Sequence, residues 1–430
     1  MPKSVVSIAK GTNAEKMVEE ALSLLGGVSS LIKPNSTVVI KPNAIGSYSA
    51  ERAITTSPEF VSAVIKVLQK AQPKEIILAE SSAVKRDSIY CLEVSGILQA
   101  AKDAGVEKII DIKKEQDLIK LPIRDHKSTT EFIRLPRFIV EADHVINLPI
   151  FKAHVAAVFS CALKNIKGLV QDSVHREMHE TDLAQAAADV WSVFKFDLQI
   201  VDMISPLEGF GPLGGVRHDN FGCVVAGKDP VAVDATCCRM AGLDITQAPF
   251  FQPALDRGLG TTNEKDIEIR GKTIKEVFKQ LWVPYLGGFE QWPEYNVYAH
   301  ERACSSCWGL VAYSLERLKS MGEYDKNAGM SVHLGMPKEL PKGVNPRDVI
   351  LLGDCIPKKL RDQGIWVPGC PPGETQPAQA IMDRKVFLIG EPNPRDYFKE
   401  VDIFYDYVRK RRDEIAAGYK KAMGLGKDSN

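Results

Sequence analysis

The stretch Ser36–Pro42, "STVVIKP", decides how this chain is read. Thr37, Val38, Val39 and Ile40 are all branched at Cβ, which favours an extended strand. Pro42 has no backbone N–H and stops the run. Next comes "SPEFVSAVIKVLQKAQ" (Ser57–Gln72), with apolar residues at helical spacing. Ser57 suits the N-cap and Pro58 the first helical position. "KEIILAESS" (Lys74–Ser82) is a second strand.

The alternation continues outward. "SGILQAAKDAG" (Ser95–Gly105) reads as a helix closed by Gly105. "DHVINLPIFK" (Asp143–Lys152) reads as one buried strand, and "DLQIVDMIS" and "FGCVVAGKD" as two more. "DPVAVDATCCRMAGLD" is a helix beginning near Asp229 or Pro230, with Asp229 as a helix-start residue. Strands alternating with helices imply an α/β fold, a mostly parallel sheet flanked by helices on both faces. "LGGFEQWPEYNVYAHE" (Leu286–Glu301), rich in Gly, Pro and aromatics, reads as a crossing segment. Beyond it lie a helix after Cys307, a strand in "DVILLGDC" and a long charged helix from Glu400. The expected division is 1–290, carrying a small-molecule pocket, and 291–430, a smaller α/β domain binding a cluster.

The 430 residues carry 55 basic and 55 acidic side chains, a formal net charge of zero. That balance gives no electrostatic footprint for nucleic acid or an anionic membrane, though local basic pockets remain open to it. The start, "MPKSVVSIAKGTNAEK", lacks the apolar core of a signal peptide, and no apolar run approaches a membrane span. The expected location is the cytoplasm. Nine cysteines, an odd number over a long chain, do not form a disulfide framework.

Four of them lie in the last third: Cys304 and Cys307 as Cys-x-x-Cys, Cys355 after a strand, and Cys370 within "VPGCPPGE". Two prolines and a glycine around Cys370 suit a thiolate held rigidly toward a metal. A structural zinc site uses the same ligands, but zinc ribbons bring two Cys-x-x-Cys knuckles and this chain has one pair and two singles. Cys91, Cys161, Cys223, Cys237 and Cys238 sit in apolar elements and read as core residues.

The order Cys-x-x-Cys, Gly-x-Cys, "PGCPP" resembles the cluster-binding pattern of [NiFe]-hydrogenase small subunits and the related complex I subunit. The resemblance implies one [4Fe–4S] cluster held by Cys304, Cys307, Cys355 and Cys370. A second resemblance rests on "VVIKPN", "VINLPIFKAH", "ALKNIKGLV" and "GKDPVAVDAT". Over about residues 38–243 these are similar to the family called domain of unknown function 362, whose members are often fused to iron–sulfur ligands.

The same stretches have a physical reading of their own. Lys41 and Asn43 follow one strand end, and Lys152 and His154 another. Lys164, Asn165 and Lys167 leave an apolar helical stretch, and "HREMHE" offers His175 and His179 on one face if it is helical. Lysines after strand ends suit a carboxylate or phosphate. The expectation is substrate binding by Lys41, Asn43, Lys164, Asn165 and Lys167, with Lys152, His154 and His175 catalytic. "GFGPLGG" lacks the context of a dinucleotide or nucleotide loop.

The expected function is an iron–sulfur oxidoreductase, its cluster exchanging electrons with a small anionic metabolite. A ferredoxin or flavoprotein would be its electron donor, and a homodimer is allowed. The alternatives are a metabolite-binding protein with a structural or sensing cluster, and a Lys/His acid–base lyase or racemase.

Overall fold

The computed structural model describes residues 3–283, 289–386 and 397–422. They form two compact units. The first comprises the chain up to Met178, Asp182–Pro212 and Val216–Val283; the second comprises His179–Thr181, Leu213–Gly215 and the described residues beyond 288.

The first unit is built on a mixed sheet. Its main path runs Ile267–Gly271, Ser4–Lys10, Cys223–Gly227, Leu198–Phe210, His144–Asn147, Thr37–Lys41, Glu75–Glu80, Lys108–Asp111. The neighbours from Leu198–Phe210 to Lys108–Asp111 are parallel, as the alternation implied. Cys223–Gly227 is antiparallel to both of its neighbours, so the sheet is mixed, with parallel pairs in the majority along this path.

Both faces are covered. Val39, Ile77, Val145, Val201 and Val225 pack into one core with Leu183–Val193 and Pro230–Met240. Val38, Ile40, Leu78, Ile146, Ile200 and Val224 pack into another with Ala14–Leu24 and Pro58–Gln69. The two-residue period of a strand sends alternate residues to opposite faces, so continuous apolar runs are what a doubly covered sheet requires.

"DHVINLPIFK" is two strands rather than one. His144–Asn147 pairs with Thr37–Lys41, whereas Ile150–His154 pairs with the later part of Leu198–Phe210. Pro149 lies at the break; it has no N–H for a ladder, and its carbonyl accepts from Asp202 N at 2.8 Å. Ser57 precedes the Pro58–Gln69 helix as expected but makes no side-chain cap bond. Its N and Oγ donate instead to Asp202 Oδ2, at 2.9 and 2.7 Å. Asp229 caps the Pro230–Met240 helix, accepting from Val231 N and Ala232 N.

The second unit has a four-stranded parallel sheet in the order Asn296–Ala299, Ser331–Leu334, Val349–Leu352, Ile365–Val367. The Ser305–Ser320 and Gln376–Asp383 helices pack on it around Val311, Leu315, Val332, Ile350 and Ala378. The segment read as a crossing lies partly outside the described residues. Its described part belongs to this core, with Trp292 and Tyr295 buried and Asn296–Ala299 forming a strand. The charged helix runs Tyr397–Ala422, and the expected end at Gly424 lies outside the described residues.

The expectation that this unit holds a cluster is overturned. Among the described residues no group of three or more His, Cys, Asp or Glu is placed to hold a metal ion. Cys304 is the N-cap of the Ser305–Ser320 helix, and a hydrogen bond from the Cys307 thiol brings its own thiol down to about 6. The hydrogen bond to Cys304, burial and the charges of Cys304, Cys355 and Cys370 push the Cys307 thiol up, so the four share a neighbourhood. Cys355 Sγ lies 3.9 Å from Leu352 O. With the cluster go the [4Fe–4S] cofactor, the iron–sulfur oxidoreductase and its ferredoxin or flavoprotein donor. The five remaining cysteines are buried.

No described helix is long and apolar enough to cross a membrane.

Candidate functional site

Three adjacent parallel strands end together in the first unit. Lys41 pairs with Asn147, and Glu80 ends the strand on the other side of Lys41. Ligand sites of open α/β sheets form beyond such carboxyl ends. Lys41 is fully buried there and donates to Glu80 Oε2 at 3.1 Å, Pro42 O at 2.8 Å and Asn165 Oδ1 at 3.2 Å. Burial lowers the Lys41 ammonium, and the Glu80 charge opposes that.

The network continues through amides. Asn43 Nδ2 donates to Asn165 Oδ1 at 3.0 Å, and Asn165 Nδ2 to Asn147 Oδ1 at 2.7 Å. Lys152 Nζ donates to Asn43 Oδ1 at 2.5 Å and to Ile54 O at 2.6 Å. Both of its acceptors are neutral. Burial, and then the neighbouring Lys164 charge, hold Lys152 well below the ordinary lysine range. The structure thus joins Lys41, Asn43, Lys152 and Asn165 through hydrogen bonds.

Gly168 explains how two backbones come so close. A Cβ there would lie 2.3 Å from both Glu80 Oε1 and Lys41 Nζ. The Gly168 carbonyl also accepts from Ser81 N at 2.9 Å, tying this turn to the strand end that carries Glu80.

Lys164 differs from the other buried amines. It sits in the short Ala162–Asn165 helix and is 9% exposed. Lys152 and His154 both feel its charge. No hydrogen bond or ion pair reaches its Nζ among the described residues, and burial alone brings it down to about 8. An ammonium without a partner in so dry a place is costly.

His154 ends the Ile150–His154 strand, and its Nδ1 accepts from Ala156 N at 3.1 Å. That bond leaves the neutral ring's proton on Nε2. Burial first, then Lys164, Lys152 and Lys167, hold the ring well below the usual histidine range, so it is neutral. His175 also lies low, through burial and Lys167. Its Nε2 meets the Lys167 carbonyl in a close contact, which pins the turn after Lys164. The segment "HREMHE" is helical, as Asp172–Glu180, and His179 Nδ1 meets Ser305 Oγ at 2.8 Å.

Two carboxylates support the site: Glu80, which the sequence did not single out, and Asp234, which it left open between a core-facing and a site role. Glu80 had no motif around it; its position at the end of a strand beside Lys41 was the available signal. Asp234 accepts from Ala162 N at 2.8 Å and Leu163 N at 2.9 Å, which holds the turn bearing Lys164 and Asn165. Burial raises the Asp234 carboxyl to about 7.

Residues 38–239 match the family model described as a domain of unknown function, DUF362, in agreement with the resemblance read from the four motifs. The chain is 26% identical over 252 residues to the thylakoid-associated protein sll1697 of Synechocystis sp., covering 56% of this chain and 74% of that one. Two solved structures are distantly similar. A Thermotoga maritima protein gives a TM-score of 0.36 at 14% identity, over 54% of this chain and 60% of its own, so this chain spans about three fifths of its length. The lactate racemase apoprotein from Thermoanaerobacterium thermosaccharolyticum gives 0.35 at 9% identity, over 89% and 91%. At these scores neither likeness carries a fold or an activity across.

Proposed function

We propose that the first unit binds a small organic anion at Lys164, Lys152 and His154 and moves a proton on it. The observation that carries this reading is the unpartnered, nine-tenths buried Lys164 amine. Lys41, Lys152, Lys164, Lys167, His154 and His175 stand against two carboxylates, Glu80 and Asp234; Glu80 is already bound by Lys41 and by the N–H groups of Ala44 and Ser81, and Asp234 by those of Ala162 and Leu163. A carboxylate or phosphate arriving at Lys164 would offset the burial cost of the charge.

In this reading each group has one task. Lys164, poised near pH 8, takes a proton in its neutral form from the carbon beside the ligand's carboxylate. The His154 Nε2–H, fixed by the Ala156 bond, donates to the oxygen on which charge develops. Asn43, itself bonded to Asn165, holds Lys152 in place. This is the acid–base alternative of the sequence reading, without the cluster.

An anion at this site favours the charged form of its amines, so binding must take up protons from solvent. Titration calorimetry with small carboxylates and phosphates, in two buffers of different ionisation enthalpy at pH 8, is expected to show proton uptake. Exchange of solvent deuterium into the bound acid, followed by NMR, reads the proton transfer. Unchanged binding in Lys164→Met would overturn the proposal.

A further inference from the structure

We propose that Lys164 Nζ is a nucleophile that condenses with the keto carbon of a 2-oxo acid. The inference rests on the anion site above, names its substrate class, and for that class replaces the free-base role of Lys164 with a covalent one. Three buried amines compete for the role, and two are already engaged. Lys41 Nζ bonds Glu80, Pro42 O and Asn165, and Lys152 Nζ bonds Asn43 and Ile54 O. A nitrogen donating to several fixed acceptors has no freedom to swing onto a carbonyl carbon. Lys164 Nζ has no such bond among the described residues.

The surroundings match both ends of a 2-oxo acid. Its carboxylate meets the local excess of lysines, and its keto oxygen meets the Nε2–H that His154 must carry. Burial favours a neutral amine at Lys164, as desolvation does in other amine-nucleophile sites. The step balances simply. The lone pair of the neutral amine forms the C–N bond, and the keto oxygen leaves as water with the two amine protons. The product is an imine, which a proton from solvent converts to the iminium. Borohydride then delivers hydride to that carbon and leaves a stable secondary amine.

The test uses the full chain with pyruvate, glyoxylate or 2-oxoglutarate and sodium borohydride, followed by peptide mapping. The expected result is a reduced adduct on the peptide containing Lys164. It should be absent without oxo acid and suppressed by glycolate, which carries the carboxylate but no keto group. Lys164→Arg, whose guanidinium does not condense with a ketone under these conditions, should lose the adduct. Binding by calorimetry without a trapped adduct in the wild type would overturn the nucleophile while leaving the anion site standing. Adducts spread evenly over exposed lysines would overturn it as well. Absence of any binding would overturn both readings. The mapping is done on the wild type, so it does not depend on the variant folding.

Discussion

The backbone N–H of Leu163 donates to Asp234 Oδ2 at 2.9 Å, across 71 residues of sequence. With the Ala162 bond to Oδ1, one carboxylate satisfies two N–H groups at the start of the turn that presents Lys164 and Asn165. Asp234 acts on the site through that turn and is a positioning residue.

Asp234→Asn is therefore expected to loosen the site. An amide has one oxygen to accept with, so one of the two buried N–H groups is left unpaired, at about 1–3 kcal/mol. Anion affinity should fall with it. The pH dependence has a definite sign. The Asp234 carboxyl is raised from 3.8 to about 7, so the folded state holds the proton more tightly. Its contribution is fully present below the unfolded value and is lost as pH rises through about 7. Urea unfolding of both proteins at several pH values should show the wild-type advantage shrinking over that range; a constant difference contradicts it.

Gly168→Ala tests the close approach. The added methyl would sit 2.3 Å from Lys41 Nζ and Glu80 Oε1, held by the Pro42 carbonyl and the Ser81 N–H respectively. Overpacking of this kind costs about 1–3 kcal/mol. Denaturation midpoints check it, and an unchanged midpoint would mean that the turn shifts freely.

Glu80→Gln leaves the fully buried Lys41 without its counter-charge. Removing one partner of a buried pair costs about 3–5 kcal/mol. Adding Lys41→Met should recover much of that loss, since the unpaired charge goes with the lysine. The double-mutant cycle decides: additive losses would show that the pair is not coupled.

Much of this was legible in local sequence. Thr37–Lys41, Glu75–Glu80 and the helix between them follow from branching, periodicity and punctuation, and each lies where the residues implied. Gly105 has a φ of +89° at the helix end it was expected to close. The Pro149 break was visible as a proline, but a break makes two strands only when each finds its own neighbour, a long-range fact. What Asp234 and Glu80 do was illegible for the same reason, since their partners lie 72 and 39 residues away. The cysteine motifs misled differently. Spacing brings thiols near each other along the chain but does not by itself make a metal site, and Cys304 and Cys307 are free thiols hydrogen-bonded to one another.

Lys164→Met separates a functional amine from a structural one. Burial lowers Lys164 from 10.5 to about 8, so the folded protein holds its proton less tightly than the unfolded chain. Below about pH 8 the charged, buried amine therefore destabilises the fold, by about 3 kcal/mol at ~1.4 kcal/mol per pKa unit. Between about 8 and 10.5 the unfolded chain binds more protons, so wild-type stability from this group rises with pH. Methionine has a similar length and no charge to desolvate. The variant should be more stable than the wild type at pH 7, and the advantage should fade toward pH 10. It should also bind anions at least tenfold more weakly, since about 1.4 kcal/mol of charge-assisted contact is enough for that. Denaturant unfolding at pH 7 and pH 10, with calorimetry on the same samples, checks both halves. A variant less stable at pH 7 would mean that Lys164 supports the fold through a partner, and its amine would not be poised for a ligand.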